Sequence, residues 1–379
     1  MKRPTVLLRM SNNCNLNCTY CYDKPKNYNG KYENTDLYNN TYKFVKYMDK
    51  IYDSENNLRK IIFHGGEPLL INAKTYKKLI NELLQKNSNY KFYIQTNLTL
   101  LNSDFIELFK KYGIRVGISL DGYNEEQNNS RLYPNGRSSF YDVMKNINEL
   151  RKANIKFGVI MTITKNHIGK EMELYKFIEE NNLWCSIRPA FFTKKSNSNV
   201  ILTWEEYATF FQNIFDIWYE DTRKIVKLNQ ISDIYQEFMK SLDEHYSTKM
   251  CCDSKNCFQN FISLDLNGNV YSCNRAYNNS EFYYGNLNEV SMQDIYKKID
   301  IYTKNRVDTI EKSKCIKCKI YNYCNGGCPV NAYELHSEYI KPDDYFCKAK
   351  IQIHEYIIKR LEEENYIKYY REKKKYGNV

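Results

Sequence analysis

Cys14-Asn15-Leu16-Asn17-Cys18-Thr19-Tyr20-Cys21 sets three cysteines at Cys-x3-Cys-x2-Cys spacing just after a short apolar run, Thr5–Met10. Three thiolates in one tight loop can hold three corners of a four-iron cube. The fourth iron is then left open to a substrate or cofactor, whereas closed clusters and structural zinc sites ordinarily use four protein ligands. A zinc loop completed by a distant residue is the alternative.

Working outward from this loop, six β-type runs alternate with helix-length segments. The runs are Thr5–Met10, Lys60–His64, Phe92–Thr96, Arg115–Leu120, Phe157–Thr164 and Trp184–Phe192, and the helical segments lie near 36–52, 74–86, 103–112, 138–153 and 169–181. Tyr76, Leu79, Ile80, Leu83 and Leu84 recur at helical spacing, and Ser103 and Asp104 offer an N-cap before Phe105. Alternating strands and helices predict an α/β fold with a parallel sheet, open or curled into a partial barrel. Active sites of such folds form where loops leave the C-terminal ends of strands, which is where the cysteine loop stands. After Phe192, helices near 203–220 and 230–242 lead into a cysteine-dense stretch, 251–347, containing a hairpin signal, Leu266-Asn267-Gly268-Asn269. A closing helix is predicted over Lys348–Glu372. The expected division is 1–230, 231–347 and 348–379.

Thirteen cysteines among 379 residues read as metal ligands rather than a disulfide framework, because no signal peptide or membrane-length apolar run is present and a cytoplasmic chain keeps its thiols reduced. The net charge of +11 is a weak pointer to nucleic acid. Three [4Fe–4S]²⁺ clusters on eleven thiolates would lower it to about +6. Part of the rest sits in a basic tail with Lys373, Lys374 and Lys375, read as a solvated helix end.

The cysteine loop and three further motifs resemble the radical S-adenosylmethionine (radical SAM) superfamily. Gly65-Gly66-Glu67-Pro68 follows the second strand as that family's GGEP motif does, its glycines allowing close backbone approach to the methionine amino group and Glu67 accepting from it. Ser119, in Gly117-Ile118-Ser119-Leu120-Asp121-Gly122, and Arg131 are implied to hold the methionine carboxylate, a pairing that suits a guanidinium; a salt bridge is the plainer role for Arg131. Tyr20 would contact the adenine side. Gln95, Thr96 and Asn97 end the third strand facing the pocket. The fold implied is a partial (β/α)6 barrel.

The second cysteine set comprises Cys257, Cys273, Cys315, Cys318, Cys324, Cys328 and Cys347, with Gly268 between the first two. It resembles the SPASM iron–sulfur domain found on radical SAM enzymes that modify peptides and proteins. Cys251 supplies an eighth ligand, with Cys252 as its possible substitute. The resemblance implies one auxiliary cluster on Cys251, Cys257, Cys273 and Cys328 and another on Cys315, Cys318, Cys324 and Cys347, three [4Fe–4S] clusters in all with S-adenosylmethionine. Paired structural zincs are the alternative. Cys185 reads as a buried hydrophobe.

Across its length, including Phe215–Asp221, the sequence is similar to anaerobic sulfatase-maturating enzymes, which oxidise Cys or Ser to formylglycine. Those enzymes carry an Asp after the cysteine matching Cys273; here Asn274 cannot accept a proton as a carboxylate does. Asp23 stands where they carry a substrate-contacting Tyr, and is a candidate base or a salt-bridge partner. These departures favour a ribosomal-peptide maturase forming a thioether or carbon–carbon cross-link, with formylglycine formation as the alternative. The implied partners are a peptide or protein substrate, a reductant such as flavodoxin or ferredoxin, and a separate leader-peptide-binding protein, since only 13 residues precede Cys14. No membrane or nucleic-acid partner is expected. A zinc-dependent RNA-binding protein is the reading from another class. It predicts a colourless protein, where iron–sulfur clusters predict a brown one.

Overall fold

The computed structural model describes residues 4–23, 37–52, 58–193, 199–223, 226–228 and 253–363. The six predicted strands form β1 (Thr5–Ser11), β2 (Arg59–Gly65), β3 (Tyr90–Thr96), β4 (Arg115–Ser119), β5 (Phe157–Ile163) and β6 (Trp184–Pro189), each parallel to the next. Between them run α1 (Leu37–Tyr52), α2 (Ala73–Lys86), α3 (Ser103–Tyr112), α4 (Phe140–Lys152) and α5 (Glu171–Glu180), and α6 (Trp204–Glu220) follows β6. This alternation places every β1–β6 connection on a helix, as parallel pairing requires. The predicted face of α2 is buried through Tyr76, Leu79, Ile80 and Leu83. The cap of α3 falls one residue earlier than expected: the Asn102 side chain accepts from the Phe105 amide at 3.2 Å. An Asn side chain there reaches the third helical amide, so Ser103 becomes the first helical residue.

The sheet has more strands than the sequence pattern indicated. β7 (Lys227–Leu228) pairs with β6, and the segments β8 (Phe261–Leu264), β9 (Asn269–Tyr271) and β10 (Tyr283–Asn286) extend the opposite edge in the order β10-β9-β8-β1. β8 runs parallel to β1, with Leu8 opposite Leu264. The barrel sheet and the cysteine-rich segment are therefore one ten-stranded sheet, without a closing pair among the described residues. The hairpin predicted at 266–269 joins β8 to β9 with Gly268 at φ +88°, where a Cβ would come 2.8 Å from the Tyr47 hydroxyl.

The final helix, Asp344–Glu363, packs on α6, where Arg360 pairs with Asp216 and Glu220. It starts before the boundary expected at 348 and carries Cys347. No helix among the described residues is long and apolar enough to cross a membrane. The helix expected near 230–242, Cys251, Cys252 and the basic tail lie outside the described residues.

Candidate active site

Register places one row of side chains on the inner face of the sheet. Arg9 of β1 lies opposite His64 of β2, Gln95 of β3 opposite Gly117 of β4, Ser119 opposite Ile160 of β5, and Thr162 opposite Arg188 of β6. At the strands' C-terminal ends this row opens into a cavity of about 720 Å³. Cys14, Cys18 and Cys21 line it, as do Tyr20, Asp23, Gly65, Gly66, Glu67, Gln95, Asn97, Ser119 and Arg131. Cys257, Cys273 and Cys328 of the second cysteine set complete the same wall. Cys14 and Cys257, 243 positions apart in sequence, thus share one chamber because β8 is hydrogen-bonded to β1.

The glycines of the GGEP turn have a job the sequence reading did not foresee. The Gly66 amide donates to the Ser11 carbonyl and the Glu67 amide to the Asn13 carbonyl, both at 2.8 Å. A Cβ on Gly65 or Gly66 would sit 2.2 Å from those same carbonyl oxygens. The turn is thereby clamped backbone to backbone onto the start of the cysteine loop. Glu67 is fully buried and accepts from the Leu69 amide (2.8 Å), the Thr96 hydroxyl (2.6 Å) and the Asn97 amide (2.7 Å). Burial outweighs these bonds and pushes its pKa up to about 7. Pro68 begins a short helical turn behind the wall rather than facing the cavity.

Arg131 is in a salt bridge, but a buried one. Its Nε lies 3.0 Å from Asp121 Oδ1, and Asp121, with no exposure, also accepts from the Tyr20 hydroxyl (2.5 Å) and the Thr162 amide (2.9 Å). Asp121 therefore orients both the arginine and the aromatic ring assigned to cofactor contact. Nothing in the local sequence around Asp121 signals this role, because it depends on neighbours as distant as Tyr20 and Thr162. Gln95 donates to the Ser119 hydroxyl at 2.9 Å, occupying the space that Gly117 leaves by lacking a Cβ.

Burial raises the thiols of Cys14 and Cys18, the latter to about 12, with Arg131 opposing the rise at Cys18. Nearby cationic metal would reverse this, since coordination favours the thiolate. Among the described residues no three Cys, His, Asp or Glu side chains gather closely enough to share one metal ion. Three thiolates of one loop on the cavity wall, with no fourth ligand in that loop, are a donor set that fits a cluster with one open iron. Of the far cysteines, Cys347 lies within electrostatic reach of Cys315 and Cys318, and Cys324 within reach of Cys347. Cys257, Cys273 and Cys328 line the cavity and the other four do not, while Arg306 lies within electrostatic reach of Cys257 and Cys328 and also of Cys324. Cys185 is buried in the core.

Asn274 is not on the cavity wall. It is buried one layer behind it, its oxygen accepting from Arg9 Nη1 (2.5 Å) and its amide nitrogen donating to the Tyr22 hydroxyl (2.9 Å) and toward His64 Nδ1 (3.1 Å). Asp23 does reach the cavity, held by Arg9 Nη2 at 2.6 Å. Arg9 and His64 were missed in the sequence. Their signal was a charged residue and a histidine following the apolar runs Val6–Leu8 and Ile61–Phe63 of neighbouring strands.

A chamber with an open three-cysteine loop, a GGEP turn fixed to it and a buried arginine beside it is the arrangement of a radical SAM active site. Residues 8–178, a little under half of the chain, match the Radical SAM superfamily, so the chain carries a radical SAM domain, and that family implies a [4Fe–4S] cluster and S-adenosylmethionine. More particularly, it is similar to the cysteine-type anaerobic sulfatase-maturating enzyme of Clostridium novyi (strain NT), at 28% identity over 92% of this chain and 94% of the relative. Its fold resembles that of anSMEcpe with bound AdoMet (TM-score 0.78, 23% identity, 95% of this chain and 94% of that one). It also resembles SuiB of Streptococcus suis bound to its precursor peptide SuiA (TM-score 0.65, 19% identity, 91% and 76%).

Proposed function

We propose that this radical SAM enzyme oxidises a cysteine or serine side chain of a protein substrate to formylglycine. The observation that carries the reading is similarity to a sulfatase-maturating enzyme along more than nine-tenths of both chains. It takes precedence over the cross-linking reaction first expected from the sequence, for which SuiB supplies a shared fold alone. When bound, the cluster and S-adenosylmethionine supply a 5′-deoxyadenosyl radical that takes a hydrogen atom from an unactivated C–H bond. Cys14, Cys18 and Cys21 would hold that cluster. Tyr20, Glu67, Asn97, Ser119 and Arg131 would bind and orient the cofactor.

Cys257, Cys273 and Cys328, with Cys251, would hold an auxiliary cluster across the chamber, and Cys315, Cys318, Cys324 and Cys347 a further one, giving three. An oxidation needs somewhere for the substrate's electrons to go, and auxiliary clusters in electronic contact with a reducing partner such as ferredoxin or flavodoxin meet that need. A reducing cytoplasm suits a chain that keeps so many cysteines out of disulfides. One observation favours cross-linking instead: position 274 holds an amide where a proton-accepting carboxylate was expected. That reading brings a leader-peptide-binding partner with it. Incubating the reduced holoenzyme with S-adenosylmethionine and a cysteine-bearing sulfatase peptide separates the two. Formylglycine, trapped as a hydrazone, supports the proposal; cofactor cleavage with an unchanged peptide rejects it.

A further inference from the structure

Arg9 and His64 face each other across β1 and β2, and Asn274 sits between their side chains. A guanidinium has donors only, so the Asn274 atom that meets Arg9 must be the oxygen. The amide nitrogen is then turned to the Tyr22 hydroxyl and to His64 Nδ1, and the Gly65 amide donates to that same Nδ1 at 2.9 Å. Two donors at 2.9 and 3.1 Å outweigh the one acceptor near Nδ1, the Gly65 carbonyl at 3.4 Å, so the lone pair is assigned to Nδ1 and the imidazole proton to Nε2. His64 lines the cavity, and because its Nδ1 edge is engaged by Asn274 and the Gly65 amide, the Nε2 edge is the one left for the chamber.

We propose that Arg9 and Asn274 act as positioning residues that fix His64 as an Nε2–H donor into the chamber, so that the substrate side chain is received there as a hydrogen-bond acceptor, a cysteine thiolate. The ring is neutral at working pH: burial first, then Arg9, push its pKa down to about 4. Charged and titratable neighbours face it from each side. Arg9 is the cation, Asp23 is its ion-pair partner, Tyr22 shares the Asn274 amide, and Tyr277 stacks on Arg9 at 3.7 Å. Glu67, the other carboxylate at the wall, is occupied by three donors. A cysteine thiol, with a pKa near 8.5, can lose its proton to solvent before binding; a serine hydroxyl cannot. The amide at position 274 thus suits a substrate that arrives already deprotonated and selects cysteine over serine. A carboxylate there would accept from both Arg9 and the ring, reversing the tautomer and presenting an acceptor; in serine proteases, replacing the orienting Asp by Asn reverses the same choice.

This inference refines the formylglycine reading and rests on it for the substrate, but its first test needs no substrate. Imidazole ¹⁵N spectra of the histidine-labelled holoenzyme, with His64 assigned by loss of its signals in His64→Gln, should show the Nε2–H form. In Asn274→Asp the Nδ1–H form should replace it. An Nδ1–H ring in the wild type, or no change in Asn274→Asp, overturns the relay whatever the enzyme acts on. The second test compares a sulfatase peptide carrying cysteine with its serine counterpart. Only the cysteine peptide should react, with kcat/KM rising about tenfold per pH unit between pH 6 and 8 as the thiolate fraction grows. Oxidation of both peptides, or a flat profile for cysteine, overturns the thiolate assignment. Failure of both peptides alongside the expected spectra removes the formylglycine reading and leaves the relay standing.

Discussion

Replacing Arg131 by Met tests whether the arginine beside the cysteine loop is part of the molecule's framework. Asp121 has no exposure and Arg131 little, and at 3.0 Å Arg131 is the carboxylate's one charged partner among the described residues. Removing one member of a buried pair costs about 3–5 kcal/mol, against roughly 0–1 kcal/mol for an exposed pair. Asp121 retains its bonds from Tyr20 and Thr162, so the lower end, about 3 kcal/mol, is expected here. The double variant Arg131→Met/Asp121→Asn should recover most of that loss, because the neutral amide no longer carries an uncompensated charge. Anaerobic urea unfolding of the three proteins supplies the stabilities, and equilibrium dialysis supplies S-adenosylmethionine affinity. Both variants should bind the cofactor about 1.5–3 kcal/mol more weakly, the scale of a hydrogen bond to a charged group. A loss of stability below about 1 kcal/mol in the single variant, or no recovery in the double, would refute the buried-pair argument.

Three other perturbations address the same chamber. Gly66→Ala should displace the cysteine loop, since its Cβ meets the Asn13 carbonyl at 2.2 Å, and iron titration should show cluster loss and no cofactor cleavage. For Glu67, whose folded pKa of about 7 lies above the ordinary 4.5, ionisation is disfavoured in the folded state. Cofactor-free wild type should therefore lose stability relative to Glu67→Gln as pH rises from about 4.5 to 7 and hold that deficit above it, read from unfolding midpoints across the range. Anaerobic reconstitution should load about twelve irons, and Cys14→Ala/Cys18→Ala/Cys21→Ala should remove about four of them; a wild-type count near four would remove both auxiliary clusters.

The barrel was legible because its strands and helices differ in hydrophobic period, and because Tyr76, Leu79, Ile80 and Leu83 repeat on one helical face. The union of the two cysteine sets was not. Only the pairing of β1 with β8, a contact across some 250 residues, puts Cys273 in the chamber of Cys14, and no local pattern encodes a strand partner at that distance. The same holds for the side chains. Cysteine spacing announces itself, but the value of Arg9, His64 and Asp121 lies in which neighbours they meet. Asn274 illustrates the point: its identity suggested a missing base, while its position reveals a hydrogen-bonded link behind the wall.

The central claim, that the enzyme oxidises a substrate cysteine by removing hydrogen from its Cβ, is tested most directly by a sulfatase peptide whose target cysteine carries deuterium at both Cβ positions. After turnover with unlabelled S-adenosylmethionine, the account predicts deuterium in the 5′-deoxyadenosine and formylglycine in the peptide. Protium alone in the 5′-deoxyadenosine, with the peptide's deuterium intact, would contradict it.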